Sequence, residues 1–447
     1  MLVFDRGLGG DGWAGFALLE SLADDGDVWL ENNHRGVLNG LLLTRSGHLV
    51  SQYPPGIVLL DAAPFWSGRA LDRLLPARLL ASAEVPPVGR VPRRVFLSAA
   101  LIVLARNAAV LLGLLWTAIA LLRLGLPARR AGAAIAFTFF GGPLLFYSLV
   151  GMTHAPTFAL AALLLLVLVR QRETGSLRLA AAAGALVGGA VLVRYSAVAL
   201  LAPALWAIAR TTRTARTART TGTRTSGAPG LCMLACVAGF SLLMLPLPFW
   251  WRACFGSWLP PAYGGQWVIT AASPWNVLFG PVHGLFLFHP ALLCAAVGLA
   301  FLPPLPAAGG AMGEGGRGGE APWRSTAAVW FLSVAILHGW WSESANPGGY
   351  GQRFLIDALP ALALGFAGWL RPGTGRRLRI ALVLVATLAG GVFFFAAVGG
   401  LVTPPAPWPW PQRLDEYTVL LRHPPGPSAL WQAMRRSSFL LRALAAR

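Results

Sequence analysis

Long apolar runs, broken at short intervals by arginine, glycine and proline, follow one another along most of the chain. An α-helix needs about 20 apolar residues to cross a hydrocarbon core. Runs near that length predict membrane helices over 98–123, 131–149, 155–170, 179–193, 195–209, 231–250, 285–302, 326–341, 354–370 and 380–398. Residues 1–95 are polar by comparison and hold Asp5, Asp11, Glu20, Asp24, Asp25, Asp27 and Glu31. The pattern predicts an all-α, polytopic membrane helical bundle of about 10–11 transmembrane helices. Its parts are a first exterior loop over 1–95, with interfacial helices and the candidate catalytic acid, a transmembrane domain over 96–399, and an exterior or interfacial tail over 400–447.

Charge gives this bundle a direction. The formal net charge is +19, and because no lysine occurs every basic residue other than histidine is arginine. The absence of lysine, with abundant alanine, glycine and proline, suggests a GC-rich bacterial genome. Arg123, Arg129 and Arg130 fill one short loop, Arg170, Arg172 and Arg178 another, and Arg210, Arg213, Arg216, Arg219 and Arg224 a third; Arg317 with Arg324, and Arg371, Arg376, Arg377 and Arg379, fill two more. The alternate loops are poor in arginine. Arginine in this alternation marks the cytoplasmic side, so the charge points to membrane topology and not to nucleic acid. Residues 1–95, the 148–154 loop, the 251–284 loop and the NPGGYGQ loop then share the outer face. RTTRTARTART and AAGGAMGEGGRGGEAP read as low-complexity cytoplasmic linkers. An even helix count puts both termini outside, so a further helix ahead of MLVFDRGLGG is expected. The arginines of the tail run against the topology trend, which allows an interfacial helix there.

Only 12% of residues are charged, about half the proportion usual in a soluble domain. Ionisable groups near membrane depth are costly and mark function. At the outer ends of the predicted helices they form a compact set: Asp11, Tyr53, His154, Arg194 with Tyr195, His283, His289, Trp340, Trp341, Glu343, Tyr350 and Arg353. Such a set suits group transfer from a lipid phosphate. Arginine binds phosphate bidentately and stabilises charge that grows on it as the transferred group leaves. A carboxylate in the exterior loop can take the proton of an acceptor hydroxyl. Asp11 is the candidate base; Arg353, Arg194, His154, Tyr350 and Tyr53 are the candidate substrate and phosphate contacts; Asp357 and Glu343 are supporting groups, with Asp357 expected to hold Arg353 one helical turn away. Cys232, Cys236, Cys254 and Cys294 show neither a disulfide nor a zinc spacing.

The order of these motifs resembles the GT-C-fold membrane glycosyltransferases, in the group of the protein O-mannosyltransferases and the lipid A aminoarabinose transferase. The resemblance runs over roughly residues 5–400, through GGDGWAGFALLESLADDGDVWLENN, YPPGIVLLDAAPFW, FYSLVGMTHAPTFAL, GGAVLVRYSA and WWSESANPGGYGQRFLIDALP. It implies transfer of a sugar from a polyprenyl-phosphate donor on the outer face of the cytoplasmic membrane. The acceptor would be an exported lipid, glycan or protein, and the catalytic Asp maps to Asp11. Many relatives follow that Asp with Glu; here Gly12 follows, so no metal-binding pair is assigned, and a divalent metal stays open as cofactor. The lysine that some relatives place before the prolines is missing from SQYPPG. Two other readings use the same residues: a flippase or transporter for lipid-linked glycans, and a non-catalytic subunit of a glycan assembly complex.

Overall fold

The computed structural model describes residues 10–33, 41–44, 46–76, 82–85, 89–149, 152–219, 229–259, 269–270, 272–280, 284–302, 322–341 and 352–398. The linker AAGGAMGEGGRGGEAP, save its last residue, and the tail from 399 lie outside them, whereas RTTRTARTART is described as far as Arg219, where it continues α8. The first loop folds as α1 Gly10–Asp24, β1 Leu41–Leu43, β2 Leu49–Ser51, α2 Gly56–Leu74, β3 Ser82–Val85 and β4 Gly89–Pro92. The bundle follows as α3 Arg93–Arg123, α4 Ala128–Phe140, α5 Leu144–Leu149, α6 His154–Thr174, α7 Leu177–Val193, a 3-10 turn Tyr195–Leu200, α8 Leu201–Arg219 and α9 Pro229–Met244. It continues as α10 Pro246–Phe255, α11 Ala272–Phe279, α12 Leu285–Phe288, α13 Pro290–Ala300, α14 Pro322–Trp340, a second 3-10 turn Arg353–Ala358, α15 Leu359–Trp369 and α16 Arg376–Val398.

The protein is mainly helical, as its apolar pattern predicts, but the first loop is not helical throughout. It carries two antiparallel ribbons, β1–β2 with Leu41 opposite Ser51, and β3–β4 with Ser82 opposite Pro92. Gly47, at φ 87°, makes the left-handed turn that closes the first ribbon. Among the described residues three helices are long and apolar enough to cross a membrane: Val95–Arg123, His154–Thr174 and Gly230–Phe255. Several predicted spans are broken instead. The run 131–149 parts into α4 and α5 at Gly141-Gly142-Pro143, and 285–302 into α12 and α13 at His289-Pro290, because proline lacks the donor that would continue the helix.

Two further breaks shape the site. Pro203 and Pro360 stand in the first turns of α8 and α15, and neither has an N–H to meet a carbonyl of the preceding turn, Ala199 four residues back from Pro203 and Asp357 three back from Pro360. The chain ahead of each tightens into a 3-10 turn. Carbonyls left without a helical donor need another partner, and α14 supplies both: Ser333 Oγ donates to Ala199 O at 3.1 Å, and Trp330 Nε1 donates to Asp357 O at 2.9 Å. A single helix therefore holds the ends of two others.

The bundle has two distinct ends. At the lower end Arg123 reaches Glu173 at 3.3 Å, and Arg172 lies over the Trp323 ring at 5.8 Å, so the ends of α3 and α6 meet the start of α14. Gly175 at φ 63° and Ser176, whose hydroxyl accepts from Leu179 N, turn α6 into α7 there. At the upper end α1 and α2 pack on the bundle. α3 has 31 residues, about 46 Å of helix against a hydrocarbon core of about 30 Å, and its first turns build a separate cluster with the loop helices. Trp13, Phe16, Leu30, Ile57, Phe65, Val95, Ile102 and Val193 form that cluster. Ser98 Oγ donates to Phe65 O, and α2 begins where Gly56 meets the backbone of Leu192 so closely that a Cβ would stand 2.5 Å from its carbonyl carbon. The opposite side of α2 presents Leu59, Ala63, Trp66, Ala70 and Leu74, all exposed, as one helical stripe.

α7 and α9 approach through small residues, as membrane helices do when no solvent drives them together. A Cβ on Gly184 would stand 1.7 Å from the Cys236 carbonyl oxygen, whereas one on Gly189 of the same helix would meet nothing within 4 Å. Gly184→Leu is expected to lower stability by at least about 1–3 kcal/mol, the usual cost of forcing atoms into a packed site. Gly189→Leu should leave the detergent-solubilised thermal midpoint nearly unchanged, and equal midpoints for the two variants would contradict this packing.

In the first loop, Glu31 Oε1 accepts from Leu49 N at 3.0 Å and lies 3.0 Å from His48 Nδ1, while Trp29 stacks on His48 at 4.3 Å. Burial opposes ionisation of Glu31 most strongly. The amides of Glu31 and Leu49, together with His48, outweigh it and hold the carboxyl below its ordinary value of 4.5. A carboxyl whose pKa falls on folding stabilises the fold above its unfolded value, and that stability is lost as pH falls through the folded value. The protection factor of the Leu49 amide should therefore decline as pH drops below about 4.5, and Glu31→Gln should flatten that decline. Hydrogen exchange read by mass spectrometry checks it; identical profiles would remove Glu31 from the account.

Candidate functional site

Arg194 closes α7. Its backbone is extended at φ −151°, and its N–H still donates to Ala190 O. Helix ends at such breaks can lie at membrane depth only where they are buried in protein or line a cavity. Arg194 is 8% exposed, and its Nη1 lies 3.7 Å from Asp357 Oδ2. Arg353 opens the second 3-10 turn. Both guanidiniums rest on one ring, Phe354, with Cζ-to-centroid distances of 5.4 Å for Arg194 and 5.0 Å for Arg353. An aromatic face offers a guanidinium roughly 0.5–2 kcal/mol without neutralising it, so each keeps its positive charge.

The same ring gathers the rest of the site. His338 stacks on Phe354 at 5.4 Å and 17°, Trp341 meets it edge-on at 4.9 Å, and His154 stands 6.2 Å away. His154 also packs edge-on against Tyr147 at 5.2 Å. Met152 completes this side, 3.9 Å from Arg353 Nη1. His154 is 1% exposed, yet neither of its ring nitrogens has a hydrogen-bond partner among the described residues. Buried polar atoms in native structures are nearly always satisfied, so these two nitrogens are placed to meet a ligand or water.

A second ion pair lies one layer away. Arg106, in the middle of the apolar run of α3, binds Asp61 of α2 through two contacts, Nε to Oδ1 at 3.3 Å and Nη2 to Oδ2. Both residues are 2% exposed. Arg194, Arg353, His338 and Arg106 all lie within electrostatic range of His154. Counted as ionised, three guanidiniums and two carboxylates leave one net positive charge among these five groups. The arrangement can bind a singly or doubly charged anion and stabilise charge growing on it. Nearer the loop surface, the Asp24 carboxylate grips the Arg69 guanidinium at 2.6 and 2.8 Å and raises its pKa.

Of the residues singled out in the sequence, the structure brings together His154, Arg194, Arg353, Asp357 and Trp341. Asp357 changes partner: its carboxylate lies against Arg194, because a 3-10 turn does not set residues four apart over one another as an α-helix would. Tyr53 sits half-buried just ahead of α2, its N–H donating to Ser51 Oγ at 3.2 Å. His289 is buried at the α12–α13 break. Asp11 falls in the first turn of α1, but its side chain lies outside the described residues, as do Glu343, Tyr350 and His283 entirely. Sequence reasoning missed Asp61, Arg106 and His338. The first two had a signal, a charge in the middle of IVLLDAAPFW and of ALIVLARNAAVLL; His338 had none beyond its place near a helix end. Among the described residues no three His, Cys, Asp or Glu side chains group to hold a metal ion.

No protein-family model and no curated protein sequence matches the chain. Its backbone does match solved structures. Two crystal structures of ArnT from Cupriavidus metallidurans, one bound to undecaprenyl phosphate and one in the apo state, superpose with TM-scores of 0.53 and 0.51 at 14% and 15% identity. Each match covers 99% of this chain and 71% of the ArnT chain. At that identity the likeness is one of fold: over nearly its whole length the chain is similar to ArnT, a lipid A aminoarabinose transferase of GT-C fold, the architecture its motif order resembles.

Proposed function

We propose that the protein is a membrane glycosyltransferase that moves a sugar from a polyprenyl-phosphate donor to an exported acceptor at the outer face of the cytoplasmic membrane. The observation that carries this reading is the convergence of Arg194 and Arg353 on the face of Phe354, at the end of the bundle covered by α1 and α2. The fold likeness to a structure bound to undecaprenyl phosphate supports a lipid phosphate as the anion.

The polyprenyl tail lies along the apolar bundle, and the phosphate sits between the two guanidiniums with His154 beside it. Attack by the acceptor hydroxyl oxygen on the anomeric carbon breaks that carbon's bond to the phosphate oxygen. The bonding electrons stay on the phosphate, and the arginines stabilise the added charge more in the transition state than before it. The hydroxyl proton goes to a carboxylate, for which Asp11 is assigned. In support, the helix that carries Asp11 packs through Trp13 and Phe16 in one cluster with Val193, the residue before Arg194. Tyr53 and Tyr350 are assigned as further substrate contacts, and Glu343 as a supporting group. The exposed stripe of α2 lies in the headgroup layer, with Trp66 as an interfacial anchor.

Arg353→Ala is expected to reduce transfer at least about 100-fold, the usual effect of removing one donor to a developing anion, while leaving expression and thermal midpoint near those of the native protein. Asp11→Asn should lower turnover by about 10²–10⁴ with donor binding intact, as for loss of a general base. Purified protein offered a panel of polyprenyl-phosphate sugars, with sugar release and transfer followed, reads both. Full activity in Arg353→Ala would remove the phosphate cradle, and full activity in Asp11→Asn would discard the base. Donor binding with no release by the native protein across the panel would favour a transporter or an accessory subunit.

A further inference from the structure

His338 lies in the last turn of α14, and its side chain is fully buried. Nδ1 lies 2.8 Å from the carbonyl oxygen of Val334. A carbonyl oxygen only accepts, so this contact puts the hydrogen on Nδ1, and the neutral ring then keeps a lone pair on Nε2. Nε2 is buried and has no hydrogen-bond partner among the described residues. The ring cannot readily turn to hide it. One side stacks on Phe354, and the next residue, Gly339, presses against Pro274, where a Cβ would stand 2.4 Å from the Pro274 Cα.

The shell around Phe354 thus contains two kinds of group. Arg194 and Arg353 offer only donors, which suit a phosphate. His338 offers a lone pair, which an unprotonated phosphate oxygen would repel but which a hydroxyl can satisfy. A ligand that answers both has an anionic group with hydroxyls attached within a few ångströms. We propose that His338 is a specificity-determining residue whose Nε2 accepts a hydrogen bond from a hydroxyl of the sugar joined to the lipid phosphate. This rests on the transferase reading above, and it adds that the site distinguishes the glycosylated lipid from the bare lipid phosphate it releases. A site built to accept from a hydroxyl leaves a buried acceptor unpaired when the hydroxyl is missing, which is a stronger basis for rejection than shape.

The test compares the affinities of the full-length protein in nanodiscs for undecaprenyl phosphate and for a panel of undecaprenyl-phosphate hexoses and pentoses. His338→Phe keeps a flat ring against Phe354 and removes the acceptor. His338→Gln places an amide oxygen near the position of Nε2. The native protein is expected to prefer one glycosylated lipid over the bare lipid by about tenfold or more, the effect of one buried hydrogen bond. His338→Phe should lose that preference while binding the bare lipid as before, and His338→Gln should retain part of it. Equal weakening towards both lipids in His338→Phe, or no change towards either, would overturn the inference by making His338 a packing residue. Equal loss of preference in both variants would overturn the role of the acceptor atom. Should the native protein bind the bare lipid without preferring any sugar, His338 loses this role while the phosphate site stands; binding of neither class of lipid would remove the transferase reading as well.

Discussion

A guanidinium cannot shed its charge on burial, so each one placed inside an apolar bundle must be met by a carboxylate or an aromatic face. This constraint organises the upper half of the molecule. Arg106 is met by Asp61, Arg194 by Asp357, and both Arg194 and Arg353 by the ring of Phe354. Each contact joins segments far apart in sequence, apart from the neighbouring pair at Arg353. Removing one member of a buried pair costs about 3–5 kcal/mol, because the other is left uncompensated. The charges that suit the site to an anion are therefore also ties that hold α2 to α3 and the end of α7 to the second 3-10 turn.

Proline sets where those charges can stand. Pro203 and Pro360 each convert the chain ahead of a helix into a 3-10 turn, and each turn brings a site arginine at or just before its start. The freed carbonyls are taken by Ser333 and Trp330 of α14. α14 also carries His338 in its last turn, so the helix that braces both breaks delivers the imidazole stacked on Phe354. Brace and site share one helix, which fixes the imidazole relative to the two arginines without any loop between them.

Much of this is legible in the chain alone. Apolar run length places α3, α6 and α9 in the membrane, and the alternation of arginine between loops groups His154, Arg194 and Arg353 at one end, where the structure brings them to one ring. Run length also joins segments that proline divides, as at Pro143 and Pro290, because hydropathy counts apolar residues and not hydrogen-bond donors. The α-helical spacing of Arg353 and Asp357 suggests a pair that the 3-10 turn does not make. Asp61 and Arg106 are legible as charges inside apolar runs. Their partnership is not, since nothing in either run encodes the register of α2 on α3.

By itself the sequence determined the class of the protein, the approximate depth of its charges and the end of the bundle on which they gather. These are properties of composition and period, and a hydrocarbon-sized run carries them wherever it packs. Only the tertiary structure decided which carboxylate answers which arginine, that Phe354 carries both guanidiniums, and that His338 presents a fixed lone pair beside them. Such pairings depend on contacts between residues up to 163 positions apart, as for Arg194 and Asp357, and distance along the chain carries no information about distance across a packed helix interface.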